Sequence, residues 1–196
     1  MPTTYPTFPG LPPADAPLLN AGAAQIWIAR PPAEVYALVS ELTRMGEYSP
    51  ECYRVEWLEG ADGPAPGARA RGWNRNGNFH WTRDVVVLVA LPGQEFTFQT
   101  LPRRPMHRDS TIWRYTFAPQ EQGGIAGTAL TESYAIVRSS VWMRVLQAFL
   151  RRPEKMPDWM METLQRIKRV AEAQAEAPLP PPDPGNSRPA AAPSSR

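Results

Sequence analysis

One glutamate lies in a run of apolar residues where its carboxyl group could act as a general acid or base. Glu132 stands between Leu130 and Tyr134 in a period-2 series. Alternate side chains of a β-strand point to opposite faces, so these three would share one face. Burial there would disfavour the charged form and raise the pKa, which suits proton transfer. The alternative is a structural ion pair with Arg114 or Arg83 on a neighbouring strand.

An aromatic series precedes that glutamate and would form the wall of a pocket. Trp113, Tyr115 and Phe117 alternate along one segment, and a turn-like stretch at 120–124 separates them from the glutamate's strand. Aromatic walls with few polar groups are typical of small-molecule sites. The residues expected to contact a ligand are Trp81, Trp113, Tyr115, Glu132, Tyr134 and Asn74. The alternative is core packing for the aromatic residues and solvent exposure for the asparagine.

The sequence contains no recognisable catalytic motif, such as a Walker A loop or a zinc-binding H-E-x-x-H. If the chain is an enzyme, Glu132 and Tyr134 are the expected proton-transfer residues. His80 should point to solvent, because it alternates with Trp81. With 2 histidines and the single Cys52, neither a metal site nor a cofactor is expected.

The prolines indicate one domain between two tails. The chain has 24 prolines, of which 6 fall in residues 1–17 and 7 in residues 178–196. Such segments bury too little apolar area to fold. We therefore expect disordered tails at 1–20 and 177–196, and a ligand-binding domain at 21–176, which is long enough for a sizeable core.

Charge and cysteine content narrow the classes of partner and compartment. The formal net charge of +2 is too small to indicate nucleic-acid binding. Cys52 stands alone, so no intrachain disulfide can form. The chain has no Lys or Arg before Arg30 and no long apolar run. We therefore expect no signal peptide or transmembrane helix, and a cytoplasmic protein. Nothing in the sequence indicates an oligomeric state.

The hydrophobic periodicity predicts helices segregated from strands, which is the α+β class. A strand at 25–29 is followed by a helix at 33–42, with Pro32 as its first residue, and by a short helical turn at 44–47. Six strands are then predicted at 55–59, 68–75, 79–91, 95–100, 110–119 and 123–136. A helix beginning at Ser139 or Ser140 should break at residues 151–153, and a second helical segment should start at Pro157. The terminal helix should bury its apolar stripe on the concave face of a curved sheet.

Several local stretches, in this order, resemble the helix-grip fold of the SRPBCC (START/Bet v 1-like) superfamily, in its polyketide cyclase/dehydrase and lipid-transport branch. They cover about residues 21–176. The matching stretches are 28–36, 48–52, 55–58, 67–75, 81–82, 92–96, 113–115, 127–132 and 160–164. The resemblance implies a deep hydrophobic cavity between a sheet of about seven strands and a long C-terminal helix.

This resemblance implies binding of a lipid-like, quinone or polyketide molecule, with the chain acting as a carrier or binding protein. The alternative is a polyketide cyclase/aromatase that uses Glu132 and Tyr134. A third hypothesis concerns the basic loop, in which Arg103, Arg104 and Arg108 flank His107. This loop would contact an anionic membrane surface or a head group, unless it is simply a solvated charged loop.

Overall fold

One antiparallel sheet of seven strands forms the body of the structure. The computed structural model describes residues 20–102, 109–138 and 152–176. The strands are β1 (Asn20–Ile28), β2 (Cys52–Leu58), β3 (Arg69–Asn76), β4 (Phe79–Leu91), β5 (Glu95–Thr100), β6 (Ser110–Gln122) and β7 (Ile125–Arg138). The helices are α1 (Pro32–Ser40), a 3-10 helix (Leu42–Glu47) and α2 (Arg152–Glu176). In the sheet the strand order is β1-β7-β6-β5-β4-β3-β2.

The link between β1 and β2 follows the predicted pattern. Pro32 is the first residue of α1, where its missing N–H leaves no hydrogen bond unmade. The 3-10 helix then begins with a side-chain cap, because Glu41 accepts a hydrogen bond from the backbone N–H of Thr43. The predicted helix and following helical turn are therefore both confirmed, with slightly shifted ends.

Tight glycine turns join the longest strands. Gly77 adopts φ +58° in the β3–β4 turn, and Gly123 and Gly124 adopt +60° and +80° between β6 and β7. Positive φ at both central residues is the geometry that favours glycine in a two-residue hairpin. The expected five-residue turn at 120–124 is therefore wrong, because β6 continues to Gln122.

Helix α2 starts earlier than predicted. It begins at Arg152 and contains Pro157, so the predicted start of the second helical segment at Pro157 is wrong. The predicted break at 151–153 adjoins residues outside the described ranges and stays a prediction. A proline near the start of a helix removes only one of the ladder hydrogen bonds and does not have to end it. The predicted stripe of Met160, Leu164, Ile167 and Ala171 is buried, which confirms the period. The predicted helix at 139–150 lies outside the described residues.

The core lies between the concave face of the sheet and the helices. Phe96 and Phe117 from the sheet contact the ring of Tyr36 from α1, at centroid distances of 6.4 and 5.4 Å. Helix α2 is fixed to β1 by polar contacts as well, because Lys168 Nζ donates to the backbone oxygen of Trp27 at 2.8 Å. A curved antiparallel sheet with a C-terminal helix on its concave side is the helix-grip α+β fold that we expected.

The close approach of β1 and β7 yields a test of this packing. A Cβ atom on Gly127 would lie 2.3 Å from the backbone oxygen of Ile28 and 2.9 Å from the ring of Trp27. Because that oxygen belongs to the backbone of a paired strand, it cannot move without distorting the sheet. Gly127→Ala should therefore lower the free energy of unfolding by about 1–3 kcal/mol, measured by urea denaturation. Gly63→Ala is the control, since its Cβ would meet no atom within 4 Å. Equal stability of the two variants would contradict the described packing.

Candidate functional site

A cavity of about 1300 Å³ lies on the concave side of the sheet. All six residues that the sequence indicated as ligand contacts line it: Asn74, Trp81, Trp113, Tyr115, Glu132 and Tyr134. Because β6 and β7 pair directly, Tyr115 lies opposite Glu132 and Trp113 lies opposite Tyr134. The two alternating series therefore face the same space. That these residues contact a ligand stays a prediction.

Glu132 is buried and only half satisfied. Glu132 is only 3% exposed, and its Oε1 accepts a hydrogen bond of 2.8 Å from the hydroxyl of Tyr115. Its Oε2 has no hydrogen-bond partner among the described residues. Burial raises the pKa of Glu132 to about 7, and the hydrogen bond from Tyr115 offsets part of that rise. The carboxyl group can therefore hold or release a proton near neutral pH.

The expected alternative for Glu132, an ion pair, is not what the structure shows. Arg114 alternates with Tyr115 and points to the other face of the sheet, where its Nη2 binds Glu95 at 2.6 Å. Arg83 pairs with Asp109. The hydrogen-bond partner of Glu132 is a neutral hydroxyl group, so no described residue pairs with its charge when the carboxyl group ionises.

Two tyrosine hydroxyl groups are buried, and one of them, that of Tyr115, belongs to the cavity lining. Burial and the charge of Glu132 raise the pKa of Tyr115 well above its ordinary value. Tyr48, which does not belong to the lining, is fully buried after the 3-10 helix and donates from its hydroxyl to the backbone oxygen of Val39 at 3.3 Å. Burial also raises the pKa of Tyr48, so both hydroxyl groups stay protonated. No period marked Tyr48, since it lies outside the regular elements.

Aromatic contacts shape the side walls. The rings of Trp113 and Tyr134 pack at a centroid distance of 5.6 Å. Tyr134 lies against Gly22 of β1, where a Cβ atom would come within 2.9 Å of the ring, so glycine leaves room for this tyrosine. Trp81 stacks on Phe79, with ring centroids 5.4 Å apart and planes inclined by 28°. Half-exposed aromatic surface of this kind can contact an apolar molecule.

The remaining predicted residues fall into three groups. Asn74 is half-buried on the cavity wall, and its Nδ2 donates to the backbone oxygen of Gly72 at 3.4 Å. Cys52 also lines the cavity, and burial raises the pKa of its thiol to about 11, so it stays protonated. His80 is exposed, which confirms that it points to solvent. The basic loop at 103–108 lies outside the described residues.

Among the described residues, no group of three or more His, Cys, Asp or Glu side chains is placed to hold a metal ion. Within the same ranges, no helix has the length and apolar character needed to cross a membrane.

Comparison with known proteins assigns the chain to a family. Residues 23–172 match the model of the family described as polyketide cyclase/dehydrase and lipid transport. The chain belongs to this family, which confirms the SRPBCC resemblance. No curated protein matched the sequence.

Solved structures agree with this assignment. The polyketide cyclase-like protein Cgl2372 from Corynebacterium glutamicum is 30% identical, with a TM-score of 0.53 over 80% of this chain and 93% of that chain. Zhui aromatase/cyclase from a Streptomyces species is 14% identical, with a TM-score of 0.57 over 81% and 96% of the two chains. The di-domain aromatase/cyclase StfQ from the steffimycin pathway is 18% identical, with a TM-score of 0.60 over 81% of this chain and 52% of its own length. The last two share the fold.

Replacing the buried carboxyl group should change how stability depends on pH. Because the pKa of Glu132 is about 7 when folded and 4.5 as the reference value, its contribution is fully present below pH 4.5 and is lost as pH rises towards 7. Glu132→Gln cannot ionise and still offers an oxygen to Tyr115. The unfolding free energy of the variant relative to the wild type should therefore rise by about 3 kcal/mol between pH 4 and pH 8, measured by urea denaturation.

The control is Glu121→Gln, an exposed carboxylate on the same hairpin. Its stability difference from the wild type should stay within about 0.5 kcal/mol across that range. A flat difference for Glu132→Gln as well would show that the Glu132 carboxyl is not buried in apolar surroundings.

Proposed function

We propose that this chain binds a hydrophobic small molecule, such as a lipid-like compound, a quinone or a polyketide, and acts as its carrier or binding protein. The observation that carries this proposal is a cavity of about 1300 Å³ lined by several aromatic side chains, in which the buried Oε2 of Glu132 has no hydrogen-bond partner among the described residues. Cavities of this size and lining suit drug-sized or larger apolar ligands.

The aromatic walls and the Glu132 carboxyl group would contribute to ligand binding in different ways. Transfer of apolar ligand surface from water to the aromatic walls supplies affinity, at about 25 cal/mol per Å² buried. The unpartnered Oε2 of Glu132 supplies orientation, because a buried polar atom gains most from a ligand group that satisfies it. Below pH 7 this oxygen can carry a proton and donate, and above pH 7 the ionised carboxyl accepts. The lipid-transport branch of the family supports a carrier role.

Removal of two wall aromatics tests the carrier hypothesis. Trp81→Ala combined with Trp113→Ala deletes a large part of the apolar contact surface. We expect the affinity for the neutral probe N-phenyl-1-naphthylamine to fall at least about tenfold, because each 1.4 kcal/mol of lost contact corresponds to a factor of ten. Fluorescence titration measures this effect, with circular dichroism as the check on folding.

The matched control for that pair is Trp73→Ala. Trp73 lies on β3 outside the cavity lining, with the guanidinium of Arg54 4.8 Å from its ring centroid. This variant should bind the probe like the wild type. A folded double variant that also keeps wild-type affinity would refute binding against these walls.

A second candidate function, cyclase/aromatase activity, is favoured by the state of Glu132. An acid–base catalyst works best when its pKa is near the working pH, and the pKa of Glu132 is about 7. Its Oε2 would remove a proton from the carbon between two ketone groups. The resulting enolate carbon would attack another ketone of the same chain, and the new alkoxide would recover the proton. Tyr115 would hold Oε1 during both steps, with Tyr134 beside it on the wall.

Turnover of a synthetic poly-β-ketone tests this second function. Glu132→Gln should lower the cyclisation rate by about 10²–10⁴-fold, and the wild-type rate should change with an inflection near pH 7. Tyr134→Phe reports whether the second tyrosine also moves protons. A rate for Glu132→Gln equal to that of the wild type, with Glu121→Gln as control, would exclude Glu132 as the catalyst.

A further inference from the structure

A second polar pair lines the cavity and has no role in the function proposed above. Arg83 of β4 and Asp109, which immediately precedes β6, both belong to the lining. Arg83 Nη2 donates to Asp109 Oδ2 in an ion pair, and the two side chains are only 14% and 12% exposed. This ion pair connects β4 to the start of β6, and it uses only part of the hydrogen-bonding capacity of the two side chains.

The unused atoms of this pair are one donor and one acceptor. Arg83 Nη1 and Asp109 Oδ1 are both shielded from solvent and have no hydrogen-bond partner within the described residues. Most buried polar atoms in folded proteins are hydrogen-bonded, and an unsatisfied one costs about 1–3 kcal/mol. A ligand group that both accepts and donates, such as a hydroxyl, would satisfy both atoms. A charged group would be repelled by one member of the pair.

The pair of Arg83 and Asp109 lies at a distance from the Glu132 site along the sheet. Tyr115 lies six positions after Asp109 along β6, so the two sites are roughly 20 Å apart at the backbone, at 3.3–3.4 Å per residue. Both pairs reach into the cavity, so a ligand would span less than this distance. Between them Trp113 and Phe98 lie on adjacent strands of the wall, together with the small polar residues Thr111 and Thr100. Along β6 the wall therefore carries one incompletely hydrogen-bonded polar pair on each side of Trp113.

We propose that the ligand carries an uncharged oxygen group at each end of an apolar body, one bound by Glu132 and Tyr115 and the other by Arg83 and Asp109. This inference rests on the proposed binding function and defines the class of its ligand. A molecule with a single polar end would leave one of the two sites unsatisfied. A molecule with charged ends would meet Asp109 or Glu132 unfavourably.

Two alcohols of equal chain length test the proposal without any mutation. At pH 6, isothermal titration calorimetry should show that the wild-type protein binds 1,12-dodecanediol about tenfold more tightly than 1-dodecanol. A hydrogen bond to a charged group is favourable even after the cost of removing both partners from water, and the expected tenfold difference corresponds to about 1.4 kcal/mol. Dodecanedioate, with two charged ends, should bind more weakly than the diol. Equal affinity for diol and monoalcohol would overturn the proposal.

A paired substitution assigns the second site. Arg83→Met with Asp109→Leu removes both charges together, so that no unpaired charge remains buried. This variant should lose the preference for the diol, so that the ratio of the two dissociation constants falls from about tenfold to about one. The control is Arg71→Met with Asp84→Leu, which removes an ion pair of 2.6 Å between β3 and β4 whose two residues do not line the cavity, and which should keep the preference. A merely structural role would weaken both alcohols equally.

The outcomes separate this inference from the function on which it rests. Binding of 1-dodecanol without preference for the diol overturns only the inference about the ligand. Failure of the wild type to bind either alcohol or N-phenyl-1-naphthylamine overturns the binding function and the inference together. Retention of the diol preference in the Arg83 and Asp109 variant overturns the assignment of the second site.

Discussion

The hydrogen bond between Tyr115 and Glu132 is the interaction on which the rest of the site depends. It joins two adjacent strands across the floor of the cavity and satisfies one oxygen of a carboxyl group that is 3% exposed. The other oxygen faces apolar surroundings, and this burial raises the pKa of Glu132 to about 7. A fully paired carboxylate would stabilise the fold more but would have nothing left to offer a ligand.

The short turn between β6 and β7 fixes this arrangement. Gly123 and Gly124 alone form the turn, and their positive φ values make a two-residue connection possible. Because this two-residue turn pairs Gln122 with Ile125, Tyr115 is paired with Glu132 further along the two strands. In a sheet, a slip of one residue would move the whole series to the other face. The chemistry of the site is thus specified by two glycines outside it.

The sequence was sufficient for the alternation within each strand but not for the pairing between strands. Alternation predicted that Trp113 and Tyr115 share one face of their strand and that Glu132 and Tyr134 share one face of theirs, because side-chain direction along a strand follows its period. The partner of Glu132 depends on the centre of the turn. The expected turn at 120–124 would have paired Tyr115 with Ala129, and the true turn pairs it with Glu132.

Other features depend on contacts between residues that are far apart in the sequence, so local sequence patterns do not predict them. The ion pair of Arg83 and Asp109 joins residues 26 positions apart. Helix α2 continues through Pro157 because its apolar stripe packs on the core, which outweighs the local signal for a helix start. The family resemblance indicated a cavity, and only the structure gave the position of each polar atom within it.

The most direct test of this account is the titration of the Glu132 carboxyl group by carbon-13 NMR, with Glu132→Gln used to assign its resonance. The account predicts a midpoint near pH 7 that moves when N-phenyl-1-naphthylamine fills the cavity. A midpoint near the reference value of 4.5, unaffected by the probe, would show a solvated carboxylate and contradict the buried site.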